Sequence, residues 1–285
     1  MTNEIIESKK LSRYNLNWWI APIVGFLLLL IGDILAKPFI SALAFLGVEP
    51  KIAELFSFIL SIIIFLLWAR LVEQAPWKSL GFIKHNIIKQ LSLGWVIGGG
   101  LLTICTLLMF LFGGIQFYGL DFSPKLLLRF IMIVFAWSIQ GMAEEVVFRS
   151  WLLTTIAART NIFVGVMVSS LGFMAAHLGN NGIKFIPLVD LFCFALLASL
   201  VFLRTKSIWI IGGFHAAWNC FQGSIFAFPV SGTNIGPSFI RVKAVGADVI
   251  SGGNFGVEGS IITVLLQAIL IGWLFCDFYY HNKVK

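Results

Sequence analysis

Gly141-Met142-Ala143-Glu144-Glu145-Val146-Val147-Phe148-Arg149 sets two adjacent carboxylates and an arginine inside a run, Lys125 to Arg159, that has no proline and no glycine except Gly141. Such a run forms one helix of about 34 residues. That is well beyond the roughly 20 residues that cross the hydrocarbon of a bilayer, so the helix has to tilt, kink or project. A charge at the bilayer centre costs roughly 2.5–3.5 kcal/mol on insertion scales, and ionisable groups at that depth usually face a protein interior and mark function. The stretch therefore reads as a membrane-spanning helix with a polar site on one side.

Composition agrees with this reading. Of 285 residues, 59% are hydrophobic and 12% charged, against about 25% charged in an ordinary soluble domain. Mean hydropathy is +0.95. The apolar runs are continuous rather than alternating, which excludes a transmembrane β-barrel. The net charge of +7 comes from basic residues scattered between apolar segments, so no face suits nucleic acid. Cys105, Cys193, Cys220 and Cys276 lie in or beside apolar segments without CxxC spacing and read as helix-packing residues. The polar start and long first apolar run do not read as a cleavable signal peptide.

The fold class expected is all-α: a polytopic transmembrane bundle in one membrane domain over residues 1–285, with an intramembrane active-site cavity. About eight spans are expected, near residues 17–36, 52–72, 91–112, 125–159, 161–178, 185–203, 207–224 and 260–280. Asn161 supplies an N-cap. Gly94 and Gly98-Gly99-Gly100 allow close helix contact, and residues 74–90 read as a basic amphipathic segment lying in the interface. Asp33 reads as a boundary residue and Asp190 as a polar packing residue. Lys and Arg weigh towards the side of the termini, which places both in the cytoplasm. Residues 225–259, rich in Gly, Ser and Asn, exceed the usual limit of about 12–15 for an unstructured loop and read as a lid or substrate-contacting flap.

Three polar groups fall in successive apolar helices: Glu144-Glu145 with Arg149, His177 with Phe173 one turn before it, and His215 with Asn219 one turn after it. Residues four apart share a helix face, so Glu145 can pair with Arg149, and His215 and Asn219 can point at one site. Glu144 lies about 100° round the helix from Glu145 and is left free for another role. Counted from the turn at Arg159 and Thr160, Glu144 and His177 lie at matching depth. A general base and oxyanion donors form one reading: Glu144 activates a water with help from His177, while His215 and Asn219 stabilise the oxyanion. A zinc site on Glu144, His177 and His215 is the other, although the sequence has no HExxH motif. Both describe hydrolysis of a peptide bond within the membrane. A proton-coupled transporter would need inverted repeats or broken helices, which are not evident.

Glu144-Glu145-Val146-Val147-Phe148-Arg149 resembles the EExxxR motif, Phe173-Met174-Ala175-Ala176-His177 the FxxxH motif, and His215-Ala216-Ala217-Trp218-Asn219 the HxxxN motif of the type II CAAX prenyl endopeptidase and bacteriocin-processing (CPBP, or Abi) family of intramembrane proteases. The motifs occur in the family's order, within a core of about residues 125–224, spans four to seven. The resemblance implies a glutamate-dependent endopeptidase with Glu144 as base, His177 sharing the catalytic water, and His215 with Asn219 stabilising the oxyanion. Glu145, Arg149 and Phe173 would support them. It implies no cofactor, with zinc as the alternative. The implied partners are the lipid bilayer and a membrane-embedded or prenylated peptide or protein, in a bacterial plasma membrane. A non-catalytic bacteriocin immunity or scaffold protein is the competing function. CAAX processing occurs at the cytosolic face, whereas the depth of the motifs sets this site nearer the side away from the termini.

Overall fold

The computed structural model describes residues 3–283 and their side chains as far as Asp277. A short helix α1 (Glu4–Lys10) precedes α2 (Ala21–Phe45), α3 (Pro50–Val72) and α4 (Ile87–Leu111). Strand β1 (Ile115–Leu120) leads to the long helix α5 (Pro124–Arg159), and α6 (Ile162–Ala176), α7 (Phe185–Thr205) and α8 (Ile208–Cys220) follow. Strand β2 (Ile240–Ala244) and helix α9 (Ile261–Lys283) complete the order.

Helices α2, α3, α4, α5 and α7 are long and apolar enough to cross a membrane. Their outward faces carry Phe26, Phe45, Val96, Ile131 and Phe135 in exposed positions, a surface that water would not tolerate at this extent but lipid would. Helices α6 and α8 are shorter than the spans expected for them, with 15 and 13 residues, whereas α9 has 23. The reasons are local: α6 stops where His177 takes over as its C-cap, and α8 gives way to a π-helical turn at Phe221–Ile225. The first expected span also runs on to Phe45, through Pro38 within the helix.

The expected single helix over 125–159 is present as 36 residues of α5, but its winding is not uniform. Pro124 at its first turn and Ser123, whose hydroxyl accepts from the Leu126 amide, start it, as expected for a proline whose missing N–H costs nothing there. Ordinary α-helix continues to Glu145, Val146–Leu153 are π-helical, and α-helix resumes over Thr154–Arg159. Asn161 caps α6 through its side-chain oxygen and the Val164 amide at 3.0 Å.

Helix α8 is the centre of the bundle, packed between α4 and α5. Glycine makes both approaches possible. A Cβ at Gly98 would stand 2.2 Å from the Phe214 carbonyl oxygen, and one at Gly141 would stand 2.6 Å from the Ala216 amide nitrogen. Gly100, by contrast, faces open space, so the Gly98-Gly99-Gly100 run serves contact through its first two members.

The connections expected to be irregular hold the one sheet seen among the described residues. Strand β1 pairs antiparallel with β2, with Ile115 opposite Ala244 and Leu120 opposite Ile240, and a register irregularity between Phe117 and Gly119. The segment 225–259 is therefore ordered: beside β2 it carries short helical turns at 248–251, 253–255 and 257–259. Arg129 holds it in place. Its guanidinium pairs with both oxygens of Glu49 at 2.7 and 2.9 Å and donates to the carbonyls of Ile235 and Pro237 at 2.7 and 3.2 Å. That pairing holds the Glu49 carboxyl below the usual carboxylate range.

Candidate active site

A cavity of about 320 Å³ lies between α2, α3, α5, α6, α7, α8 and the 230–258 segment, and Glu144, His177, His215 and Asn219 all border it. The structure thus brings together the four residues that the sequence pattern singled out. Lys51 and Glu54, at the start of α3, line it too, so it reaches towards the end of the bundle where α2 turns into α3, away from α1.

The two carboxylates are handled differently. Glu145 is fully buried; its Oε1 takes His215 Nδ1 at 2.8 Å and lies 3.2 Å from the Arg149 guanidinium. Arg149 is fully buried as well and lies over the Phe173 ring, 4.5 Å from its centroid, a favourable place for a desolvated cation. Glu144 keeps 15% of its side chain accessible. Its Oε1 accepts from Gln140 Nε2 at 2.6 Å, and its Oε2 is 3.6 Å from His215 Nε2. His215 therefore stands between both carboxylates, one on each ring nitrogen. The π-helical turn begins at Val146, directly after the pair; such turns shift the face on which later residues emerge and are frequent at functional sites.

The C-terminal end of α6 positions His177. Its Nδ1 lies 2.8 Å from the Phe173 carbonyl oxygen, which only an N–H at Nδ1 can satisfy in a neutral ring, leaving the Nε2 lone pair free. The Phe173 ring adjoins the His177 ring at a centroid distance of 4.7 Å, and Phe194 adjoins His215 at 4.8 Å. Aromatic packing thereby limits how far either imidazole can rotate. Asn219 is held by Gln140, whose Oε1 accepts from Asn219 Nδ2 at 2.8 Å.

Gln140 was not among the expected site residues, yet it bridges Glu144 and Asn219. A glutamine four residues before Glu144 on an apolar helix is a signal that i, i+4 spacing could have found. Asp190 and Glu258 also border the cavity. Glu258 Oε2 accepts from the amide and the hydroxyl of Ser231, each at 2.8 Å. Burial pushes the Glu258 carboxyl up from its ordinary value, against the pull of the Ser231 hydroxyl.

The zinc alternative can be tested on the donors. Among the described residues no three His, Cys, Asp or Glu side chains are grouped so as to hold a metal ion. His215 Nδ1 is given to Glu145 and His177 Nδ1 to the Phe173 carbonyl, so each ring keeps Nε2 as its remaining donor atom. Metal-ligating histidines make the same second bonds; it is the spacing of Glu144, His177 and His215 that does not gather them round one ion in this arrangement.

Residues 125–221 match the protein family described as type II CAAX prenyl endopeptidase Rce1-like. The matched segment contains Glu144, His177, His215 and Asn219. Comparison with curated proteins gives no match.

Proposed function

We propose that this chain, which belongs to the type II CAAX prenyl endopeptidase Rce1-like family through residues 125–221, hydrolyses a peptide bond inside the membrane with a glutamate-activated water. The observation that carries the reading is the asymmetry of the glutamate pair: Glu145 is sealed against Arg149 and His215, while Glu144 keeps access to the cavity that His177 also borders. A water between Glu144 and His177 would lose its proton to Glu144 as it attacks the carbonyl carbon, with His177 Nε2 accepting its second hydrogen bond. Negative charge then develops on the carbonyl oxygen. In its imidazolium form, with Nδ1–H given to Glu145, His215 offers Nε2–H to that oxygen, and the second N–H of Asn219, the one not given to Gln140, is the other donor suited to it. Glu145, paired with Arg149, holds His215 in place. Collapse of the intermediate then breaks the C–N bond as Glu144 returns its proton to the leaving amine nitrogen.

The substrate in this reading is a membrane-associated peptide, and a prenylated CAAX-type peptide is the first to test. The Lys and Arg weighting puts the termini in the cytoplasm, which turns the Lys51 end of the cavity to the outer face. A cytosolic CAAX substrate requires the opposite orientation. Labelling of single cysteines at positions 10 and 51 with a membrane-impermeant reagent decides between these two presentations.

The deciding measurement of activity is turnover of a peptide library by the purified protein, with and without chelator. Glu144→Gln is expected to lower kcat by about 10²–10⁴-fold with an unchanged thermal unfolding midpoint in detergent. Activity should be indifferent to chelator. Full turnover in the Glu144 variant would overturn the assignment of the base.

A further inference from the structure

A second polar group, from α7, α9 and the 221–225 and 257–259 turns, adjoins the cavity and is not used by the proposed mechanism. Asp190 is completely buried, accepts from Gln267 Nε2 at 3.2 Å through Oδ1, and has no hydrogen-bond partner at Oδ2. The Gln267 amide oxygen and the Gln222 amide oxygen are also buried without partners. Glu258 stands within electrostatic reach of Asp190. Asp190 and Glu258 border the cavity, and Gln267 and Gln222 stand beside them; three of these side chains have an unused acceptor, and an unsatisfied buried acceptor is costly until a donor reaches it.

Nothing else around the cavity supplies that donor charge. Asp33, Glu54, Glu144, Asp190 and Glu258 border it, and among the described lining residues Lys51 is the one lysine or arginine. Lys51 is itself paired with Glu54 at 2.8 Å. His215 is held by the glutamate pair, and His177 lies within electrostatic reach of Glu258. A cavity walled by acids and lacking a free cation favours a cationic guest.

We propose that Asp190, with Glu258, forms a subsite for the basic side chain of a peptide substrate, a lysine or arginine near the bond to be cut. This rests on the peptidase reading above for the identity of the guest. The ammonium or guanidinium would donate to Asp190 Oδ2, and its charge would offset the mutual repulsion of the two carboxyls. The preference would then be for basic over isosteric apolar residues.

The probes are short apolar peptides that differ only in lysine against norleucine at one position, scanned along the chain. The wild-type protein is expected to cleave the best lysine peptide with kcat/KM at least about tenfold above its norleucine twin, and Asp190→Asn should bring that ratio close to one. Glu258→Gln is the second variant, and should lower the ratio in the same direction. Equal rates on the twins, or a ratio unchanged in both variants, would overturn the subsite. Binding of the same peptides to Glu144→Gln, with and without Asp190→Asn, separates the two proposals. Selective binding without cleavage by the wild type supports the subsite and removes the peptidase reading; equal binding of the twins removes the subsite whether or not cleavage occurs. Stabilisation by sodium chloride over N-methylglucamine chloride that Asp190→Asn abolishes, with no lysine preference, would assign the site to a free cation and overturn the peptide guest.

Discussion

Glu73 and Glu145 are both buried carboxylates beside a buried base, and each adjoins a π-helical turn, Trp68–Val72 before the first and Val146–Leu153 after the second. Glu73 is fully provided for. Lys9 Nζ donates to Oε2 at 2.5 Å, and the indoles of Trp68 and Trp151 donate to Oε1 at 3.2 and 3.0 Å. Glu145 has a bare Oε2, and the Nε, Nη1 and Nη2 of Arg149 make no hydrogen bond. The first pair fastens α1 to the end of α3 and to α5. The second, on the cavity wall, is left short of partners, and Glu145 Oε1 is turned to His215. A buried pair can thus be spent on rigidity or kept for a site, and the count of satisfied atoms distinguishes the two uses.

The sharpest way to break that comparison is Lys9→Met. It strands the Glu73 charge in the interior, and about 3–5 kcal/mol of stability should be lost, read as a lower thermal midpoint in detergent; a change within error would show that Glu73 is not a fastening. Burial already pushes the Lys9 amine below its ordinary value, with Glu73 opposing. Glu145→Gln should cost less, about 1–3 kcal/mol, because the amide oxygen still accepts from His215 and Phe173 still covers the guanidinium. Equal losses in the two variants would erase the distinction. Turnover should also fall in Glu145→Gln and stay unchanged in a Lys9→Met protein held below its melting temperature.

The smallest effect belongs to a third, exposed group. Glu4 lies between Lys206 and Lys78, and the hydrogen bond from Lys206, with that from Lys78, lowers its carboxyl to about 2. Its folded value lies below the unfolded one of 4.5, so its contribution is present above about pH 4.5 and disappears as pH falls towards 2. The difference in melting midpoint between wild type and Glu4→Gln should be slight at pH 6 and vanish by pH 2. A difference that grew with acid would refute the pairing.

The membrane class, the long helix and the four cavity residues were legible because each is written locally, as an apolar run or an i, i+4 spacing. Distant pairings were not. Lys9 reads as part of a basic tail before the first span, and nothing at residues 1–16 signals that its partner stands 64 positions on. Asp190 reads as a packing residue because Glu258 and Gln267, which give it context, lie on a later turn and helix. Strands β1 and β2 do alternate, as Gln116, Tyr118 and then Arg241, Lys243 show. Each is short and separated from the other by more than a hundred residues, so neither run outweighs a loop reading. The division between Glu144 and Glu145 was expected from the 100° step between them; the placement of His215 against both was not, since it depends on how closely Gly141 lets α8 approach.

The winding change in α5 has a consequence for genetics. A π-helical turn is one residue accommodated without an added α turn, so removal of one codon within 146–153 need not break the helix. It would let the segment relax to ordinary α winding, which absorbs the lost residue, so Thr154–Arg159 would keep nearly their present face while residues inside the segment change theirs. Arg149 and Trp151 would then lose their places while the hydrophobic length hardly changed. Such a deletion should yield a protein that is inserted and accumulates in the membrane at reduced stability and is silent in turnover, a phenotype that expression and cleavage assays run side by side would separate from simple misfolding.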